Sequence, residues 1–257
     1  MNVYKEQRGN PDKPALVLLH GWGMNSCVWN SVLPLLEAHF YLTLIDLPGL
    51  GQSVSCPEPY NSQTVVDTLL EAAPERAAWL GWSLGGQLAI RAAALAPERV
   101  DKLITVASSP CFVQRENWPC AMAAETYQSF AGALIENPDK TLTRFAMLQT
   151  QGAEAGRPVL KQLKSLLKES SPPTALPESL GLLEDDERAL LAQVKQPVWM
   201  SFGEKDLLVP GAAAQACQLI NAAVYTRIYT GAGHLPFLSH AEQWVSDLRY
   251  FMESGSL

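Results

Sequence analysis

The sequence predicts an α/β protein built on a doubly wound, mostly parallel sheet with an inserted helical segment. Three observations lead to this prediction. Short apolar runs bounded by turn residues alternate with helical patterns in both terminal parts of the chain, as in proteins whose parallel strands are joined by helices. A long central stretch has no such apolar runs. A turn with a serine between glycines connects one apolar run to the helical pattern that follows it.

The apolar runs are as short as buried parallel strands usually are. They occupy residues 15–19, 41–45, 77–80, 103–107, 198–202 and 225–229. Apolar residues recur with helical spacing between or after these runs, over residues 31–39, 63–73, 87–96, 212–221 and 241–252. Strand and helix therefore alternate, and this order predicts crossover connections within a single parallel sheet.

The central stretch, residues 111–186, interrupts this alternation. It contains amphipathic patterns at 122–136, 142–150 and 158–168 but no convincing buried strand. Prolines interrupt its later half, and the acidic run at 184–187 marks the return to the core. We therefore expect residues 1–110 and 187–257 to form the α/β core and residues 111–186 to form an inserted helical lid.

Size, charge and cysteine usage restrict the class of protein. A chain of 257 residues with 47% hydrophobic residues can bury a large core. Its net charge of −7 argues against nucleic-acid binding. No signal peptide or membrane span is recognisable, so we expect a cytoplasmic protein with no membrane partner, and a monomer by default. The five cysteines have no C-x-x-C spacing, which favours reduced thiols over disulfides or a zinc site.

The charge is distributed unevenly. Between residues 140 and 168, six basic residues stand against the single acid Glu154, so this window has a net charge of +5 and the remainder −12. The six are Lys140, Arg144, Arg157, Lys161, Lys164 and Lys168. A solvated helix face is one interpretation, and a docking surface for an acidic partner is the other. The asymmetry between this window and the rest of the chain favours docking.

The motif Gly81-Trp82-Ser83-Leu84-Gly85 lies between an apolar run and a helical pattern. A sharp strand-to-helix turn brings the backbone too close for side chains on either side of the serine, which explains the two glycines. The serine itself adopts a disfavoured backbone conformation in such turns. Its hydroxyl then stands at the start of a helix, where the amide dipoles favour negative charge. We predict that Ser83 is a nucleophile.

Two further candidates follow the last two apolar runs. Asp206 and His234 each come after a predicted strand, so both are expected at the carboxyl edge of the sheet with Ser83. A serine hydroxyl needs a base, and the base needs an orienting carboxylate, so we predict that His234 is the base and Asp206 the acid. Glu204 in the same loop and Asp46 after an early strand are alternatives for the acid. Asp46 is better placed to brace its own loop.

Residues 20–23, His-Gly-Trp-Gly, follow the first apolar run. The glycines allow the backbone N–H of Trp22 to face inward, and the N–H of Leu84 supplies a second donor for an oxyanion. His20 has no second histidine or carboxylate cluster beside it in the sequence. We therefore interpret His20 as structural, and we expect no metal and no cofactor.

These motifs resemble the α/β-hydrolase pattern across nearly the whole chain, at residues 20–23, 46–49, 81–86, 203–206 and 233–237. A narrower resemblance is to the family of pimeloyl-[acyl-carrier protein] methyl ester esterases (BioH). It rests on residues 79–86, 106–112 with Trp118-Pro119, 144–145 and 148–150.

The narrower resemblance implies hydrolysis of the methyl ester of a pimeloyl chain held on acyl carrier protein, in biotin biosynthesis. It implies an acyl-enzyme on Ser83, with water as the second substrate. The residues that it places at the substrate are Trp22, Ser83, Leu84, Phe145, Ala146, Met147, Leu148, Gln149 and His234. Simple packing within the lid is the alternative for the apolar lid residues.

The resemblance also implies that the acidic carrier docks on Lys140, Arg144, Arg157 and Lys161. Two of these are lysines where the family pattern suggests arginine, so the charge is kept while bidentate geometry is lost.

A general carboxylesterase for short-chain esters is the nearest alternative function. Carbon–carbon bond hydrolases and ligand receptors of the same fold are more remote ones. Dehalogenase chemistry would need a carboxylate at position 83, where this chain has serine.

Overall fold

In the computed structural model, which describes residues 2–256, seven strands form one sheet in the order β1-β3-β2-β4-β5-β6-β7. Their bounds are β1 Lys5–Arg8, β2 Ala15–Leu19, β3 Tyr41–Ile45, β4 Ala77–Trp82, β5 Val100–Val106, β6 Val198–Gly203 and β7 Val224–Tyr229. β1 pairs antiparallel with β3, and all other pairs are parallel. The predicted mostly parallel α/β sheet is confirmed.

The strand that the sequence did not predict is β1. Its residues, Lys-Glu-Gln-Arg, include no apolar side chain and are mostly exposed. It lies at the edge of the sheet and pairs on one side only, so it needs no buried face. β4 and β6, by contrast, are buried throughout their length, which is why they are readable as continuous apolar runs.

The helices are α1 Leu33–Glu37, α2 Ser62–Ala72, α3 Leu84–Leu95, α4 Ala124–Glu136, α5 Pro138–Thr150, α6 Gly156–Glu169, α7 Leu176–Gly181, α8 Arg188–Leu191, α9 Ala212–Ile220, α10 Pro236–Ser239 and α11 Ala241–Ser254. The helix predicted over 31–39 is shorter, since it covers only Leu33–Glu37, and a separate 3₁₀ turn at Ser26–Trp29 lies before it. Within residues 2–256, no helix combines the length and apolar character needed to cross a membrane.

Alternate residues of the central strands supply two hydrophobic layers. Leu19 and Trp79 face one layer, with residues of α2, α3 and α9. Leu18 and Leu80 face the other, with residues of α1 and α11. The sheet is therefore covered by helices on both faces, as expected for parallel strands.

The strand order reverses direction at β2, whose neighbours are β3 and β4. In sheets of this kind, the loops at the carboxyl ends of the strands beside such a switch point separate and leave a crevice for ligands. The loop that contains Trp22 follows β2, and Ser83 follows β4. The topology thus places the predicted oxyanion loop and the predicted nucleophile on either side of that crevice.

The segment 111–186 enters and leaves the core at one place. Cys111 and Asp186 form an isolated antiparallel bridge, and the N–H of Glu187 donates to the carbonyl of Pro110 at 2.7 Å. Helices α4 to α7 lie between these points, and none of the seven strands does. We refer to residues 111–186 as the lid.

Candidate active site

Three loops at the carboxyl edge of the sheet hold the predicted reactive groups. Ser83 directly follows β4, Asp206 follows β6, and His234 follows β7. All three are buried, with exposures of 4%, 6% and 0%. The structure therefore brings together three residues that are far apart in the sequence.

The backbone of Ser83 is strained, with φ 54° and ψ −121°. A positive φ is disfavoured for a residue with a side chain. The turn is held in place by its own hydrogen bonds. The N–H of Ser83 donates to Val106 O at 2.9 Å, and the Ser83 carbonyl accepts from the hydroxyl of Ser108 at 2.7 Å. Such over-determined strain is characteristic of functional turns.

The glycines of the motif are required by close backbone approaches. A Cβ on Gly81 would collide with the carbonyl of Gly85, and a Cβ on Gly85 would lie 2.6 Å from the carbonyl of His20. The predicted reason for the glycine-serine-glycine pattern is thus confirmed.

Asp206 and His234 form a direct pair. Nδ1 of His234 lies 2.7 Å from Oδ2 of Asp206. The other carboxylate oxygen accepts the N–H groups of Leu208 at 2.8 Å and Val209 at 3.1 Å. A carboxylate at Nδ1 places the proton on that nitrogen, so Nε2 is left as the hydrogen-bond acceptor. Nε2 is buried and has no partner among residues 2–256.

The loop that contains His234 is fixed through its backbone. The carbonyl of His234 accepts the indole N–H of Trp82 at 2.9 Å, and its N–H donates to the carbonyl of Gln149 at 2.9 Å. A Cβ on Gly203 would collide with the carbonyl of Gly233, so the Asp206 and His234 loops are in direct backbone contact. The imidazole is therefore held by β4, by the lid and by the neighbouring loop.

The two alternative acids lie elsewhere. Glu204 accepts the N–H of Gly231 at 2.9 Å, and this bond, with a smaller contribution from Lys205, lowers the pKa of its exposed carboxyl. Asp46 accepts the N–H groups of Ser26 at 2.7 Å and Gln52 at 2.8 Å. Asp46 therefore braces its loop, as predicted, and Asp206 is the carboxylate that contacts His234.

The loop after β2 lies against the nucleophile. A Cβ on Gly21 would lie 3.1 Å from the Cβ of Ser83. Among residues 2–256, no hydrogen bond uses the backbone N–H of Trp22 or of Leu84. Within this range, the N–H of Leu84 is free because Leu84 is the first residue of α3, whereas an unpaired N–H in a buried loop, as at Trp22, is uncommon. The availability of these two groups beside Ser83 is what an oxyanion site requires.

His20 is a structural residue. Its Nε2 accepts the N–H of Leu47 at 2.9 Å and its Nδ1 donates to the carbonyl of Gly21 at 2.8 Å, so both nitrogens are used in the neutral form. Burial lowers the pKa of His20, and Asp46 offsets only part of this effect. No group of three or more His, Cys, Asp or Glu side chains within residues 2–256 is arranged to hold a metal ion.

Helix α5 presents part of the predicted lid contact to the site. The ring of Phe145 meets the Trp22 ring edge-on at 5.0 Å. Gln149, one turn further, is 1% exposed, and neither atom of its amide has a partner within residues 2–256. Leu148 lines a cavity of about 280 Å³ together with Phe130 and Arg144.

The structure does not group Ala146 and Met147 with these residues. Successive helical positions are rotated by about 100°, so the two side chains following Phe145 point elsewhere. Ala146 packs in the layer that includes Val159 and Leu163 of α6. Met147 is 50% exposed.

The predicted docking residues Lys140, Arg144, Arg157 and Lys161 are all exposed. None of them takes part in an ion pair among the described residues. The positive charge of these four side chains is thus available to a partner.

Comparison with known proteins agrees with this geometry. The model of the alpha/beta hydrolase family matches residues 16–248. A solved esterase from Exiguobacterium antarcticum superposes with a TM-score of 0.85 over 98% of this chain and 96% of that one, at 21% identity, which shows the shared fold. A protein of Edwardsiella ictaluri named pimeloyl-[acyl-carrier protein] methyl ester esterase is 42% identical over 95% of both sequences. One of the same name from Nitrosomonas europaea is 41% identical over 95% of this chain and 97% of its own.

The chain belongs to the pimeloyl-[acyl-carrier protein] methyl ester esterase family of alpha/beta hydrolases.

Three residues of this family member were not singled out from its sequence. Phe130 meets the ring of Trp22 at 5.4 Å, the carbonyl of Leu176 accepts the Trp22 indole N–H at 3.0 Å, and Ser108 supports the Ser83 turn. Phe130 could not be distinguished from the other apolar residues of its helix. The role of Leu176 could not be predicted either, because every residue has a backbone carbonyl. Only for Ser108 could the sequence have indicated a role at the site, because it directly follows a predicted strand and so lies at the carboxyl edge of the sheet.

Proposed function

We propose that this protein is a serine carboxylesterase that hydrolyses the methyl ester of pimeloyl-[acyl-carrier protein], releasing methanol. One observation supports this most strongly. The buried Asp206–His234 pair and the strained Ser83 turn occur in a chain that is 42% identical to an esterase of that name. The triad supports the reaction type, and the relationship supports the substrate.

Acylation begins with attack of Ser83 Oγ on the ester carbonyl. His234 Nε2 takes the hydroxyl proton, and Asp206 stabilises the imidazolium that forms. The N–H groups of Trp22 and Leu84 bind the oxyanion of the tetrahedral intermediate. Collapse of this intermediate breaks the bond to the methoxy group, which leaves as methanol with the proton from His234.

Deacylation repeats these steps with water. His234 Nε2 removes a proton from the water as it attacks the acyl-enzyme, and the same oxyanion donors act again. Return of the proton to Ser83 Oγ releases the free carboxylic acid. The mechanism uses no group beyond the side chains, the backbone and water.

Carrier recognition is assigned to the lid. Lys140, Arg144, Arg157 and Lys161 are exposed and make no ion pair with any residue from 2 to 256, and they lie in a window of +5 on a chain of −7. Such a patch attracts an acidic partner over distances of about a Debye length. A carrier docked there would present the distal ester to Ser83. We assign the protein to the cytoplasm as a monomer.

The test is kcat/KM for the carrier-bound methyl ester and for free dimethyl pimelate, at low and high salt. We expect a salt-sensitive carrier advantage of about 10-fold or more, which Arg144→Ala/Arg157→Ala removes. Lys195→Ala/Arg249→Ala is the matched control, because it removes the same charge outside the lid. It should keep the advantage.

Equal rates on both substrates, insensitive to salt and to the lid substitutions, would reduce the assignment to a general short-chain carboxylesterase. Turnover of dienol-type ketones in preference to esters would indicate a carbon–carbon bond hydrolase. Binding of esters without turnover, and no labelling of Ser83 by a fluorophosphonate, would indicate a receptor.

A further inference from the structure

The side chain of Trp22 is held by the lid although the residue belongs to the core. Its indole N–H donates to the carbonyl of Leu176 at the start of α7, at 3.0 Å. Phe130 of α4 and Phe145 of α5 meet the indole edge-on, at 5.4 Å and 5.0 Å between ring centroids. The two phenylalanine rings also contact each other at 5.5 Å. Three separate lid helices thus fix one buried side chain.

The backbone around Trp22 is a turn that is anchored at Gly21, whose carbonyl accepts the N–H of Met24 at 3.3 Å and Nδ1–H of His20 at 2.8 Å, while the N–H of Trp22 itself makes no hydrogen bond within residues 2–256. The residue stands between two glycines, Gly21 and Gly23, and Gly23 has φ +68°. Glycine restricts the backbone less than any other residue. The orientation of the peptide N–H at position 22 therefore depends on what holds the Trp22 side chain as well as on the turn.

Helix α5 also contacts the loop of the proposed base. The carbonyl of Gln149 accepts the N–H of His234 at 2.9 Å, one helical turn beyond Phe145. The same helix therefore sets the position of the Trp22 loop and of the His234 loop relative to each other.

We propose that the lid positions the oxyanion hole. Phe130, Phe145 and the carbonyl of Leu176 act as positioning groups. They hold the Trp22 indole and thereby direct its backbone N–H toward the oxygen that becomes negatively charged. This proposal rests on the proposed esterase function. It assigns to the lid a part in transition-state stabilisation that is separate from covering the site and from docking the carrier.

The competing explanation is that Phe130 and Phe145 only line the binding site of the acyl chain. The two explanations differ for a very short ester. The acetyl group of p-nitrophenyl acetate has two carbons and gains little from an acyl-chain site, yet its tetrahedral intermediate needs the same oxyanion donors.

The experiment measures kcat and KM for p-nitrophenyl acetate in wild type, Phe130→Leu, Phe145→Leu and the double variant. Loss of an oxyanion donor costs about 10²–10³ in kcat, and a misdirected donor should cost less. We expect kcat to fall about 10- to 100-fold in the double variant, with KM nearly unchanged. The affinity for a trifluoromethyl ketone, which forms an anionic adduct with the serine, should fall by the same factor.

Trp22→Phe provides a second test, because it keeps an aromatic ring but removes the N–H that bonds to Leu176. Its kcat should lie between those of wild type and the double variant. Phe251→Leu is the control for loss of a buried aromatic side chain, because Phe251 packs against Trp199 in the core. It should leave kcat for the acetate ester unchanged. If Phe145→Leu unfolds, kcat of Phe130→Leu on the acetate ester, compared with that of wild type, decides between the two explanations, because Phe130 is only half-buried.

Unchanged kcat on the acetate ester, with losses confined to long acyl chains, would overturn the proposal and leave the two rings as acyl-chain contacts. Failure of the wild-type protein to hydrolyse the carrier-bound ester, while the acetate results hold, would contradict the substrate of the proposed function only. An inactive wild type on both esters would contradict the esterase itself.

Discussion

The edge of the sheet and the lid hold their functional groups in different ways. At the edge, the Ser83 backbone and the Asp206 carboxylate are buried and fixed by hydrogen bonds at 2.7–3.1 Å. On the lid, the basic side chains of Arg144 and Arg157 are exposed and make no ion pair among the described residues. Chemistry needs groups that are fixed before the substrate arrives, whereas attraction of a charged partner needs groups that are free to meet it. Changes at the edge should therefore affect every ester, and changes to lid charges only the carrier-bound one.

The largest effect is expected for Asp206→Asn. An amide at this position would favour the wrong imidazole tautomer, and kcat should fall by about 10⁴ on carrier-bound and free esters alike. Glu204→Gln is the matched control in the same loop, and it should stay within a factor of a few of wild type. Steady-state kinetics on both substrates, with circular dichroism to verify folding, measure this. A loss of kcat on only one of the two substrates would contradict the expectation that changes at the edge of the sheet affect every ester.

Gly203→Ala should have the next largest effect. Its Cβ would collide with the Gly233 carbonyl, so the Asp206 and His234 loops must separate. We expect a loss of both thermal stability and kcat. Gly132→Ala in α4 is the matched control, because a Cβ there meets nothing within 4 Å. It should stabilise the protein by about 0.5–1 kcal/mol. Equal melting temperatures for the two variants would show that the contact between the loops is not required.

Removal of lid charge should give a smaller and selective effect. We expect Lys140→Ala/Lys161→Ala to slow the carrier-bound substrate several-fold at low salt, because steering depends on the unscreened charge. At high salt, and on dimethyl pimelate at any salt, the double variant should match wild type. Stopped-flow association with the carrier measures the steering directly. An equal loss on the free ester would mean that these lysines act on the site itself.

The smallest effect concerns pH. Burial lowers the pKa of His20 below its ordinary value of 6.5. Below pH 6.5 the unfolded chain therefore binds a proton that the folded protein does not, and the free energy of unfolding decreases as the pH falls toward the folded-state pKa. This contribution is fully present above pH 6.5. Melting temperatures between pH 7.5 and pH 5.5 should fall less steeply for His20→Gln than for wild type. If the melting temperatures of the two proteins fell equally with pH, the lowered pKa of His20 would not contribute to the pH dependence of stability.

The same contrast explains what could be predicted from the sequence. β2 to β7 are readable because strands buried on both faces become apolar runs, and Ser83, Asp206 and His234 come directly or a few residues after such runs. β1 is not readable, because a polar edge strand has no such pattern. In the lid, the resemblance covers residues 145–149 as one segment. It does not show that Phe145 and Gln149 lie on the buried face of α5 while Met147 is exposed. The contact of Phe130 with Trp22 depends on how α4 packs on the core, which local spacing does not encode.

The bridge between Cys111 and Asp186 has a consequence for how this protein can evolve. The two ends of the lid meet at this bridge. The path from β5 to β6 through the bridge is therefore short, and it does not depend on the length of the lid. Doubling the length of a flexible loop costs only ~0.6 kcal/mol in closure entropy. Descendants of such a chain can lengthen, shorten or replace the inserted helices with little cost to the sheet. Substrate choice can then diverge between lineages, provided that each new lid still supports the loops of Trp22 and His234 as Leu176 and Gln149 do here.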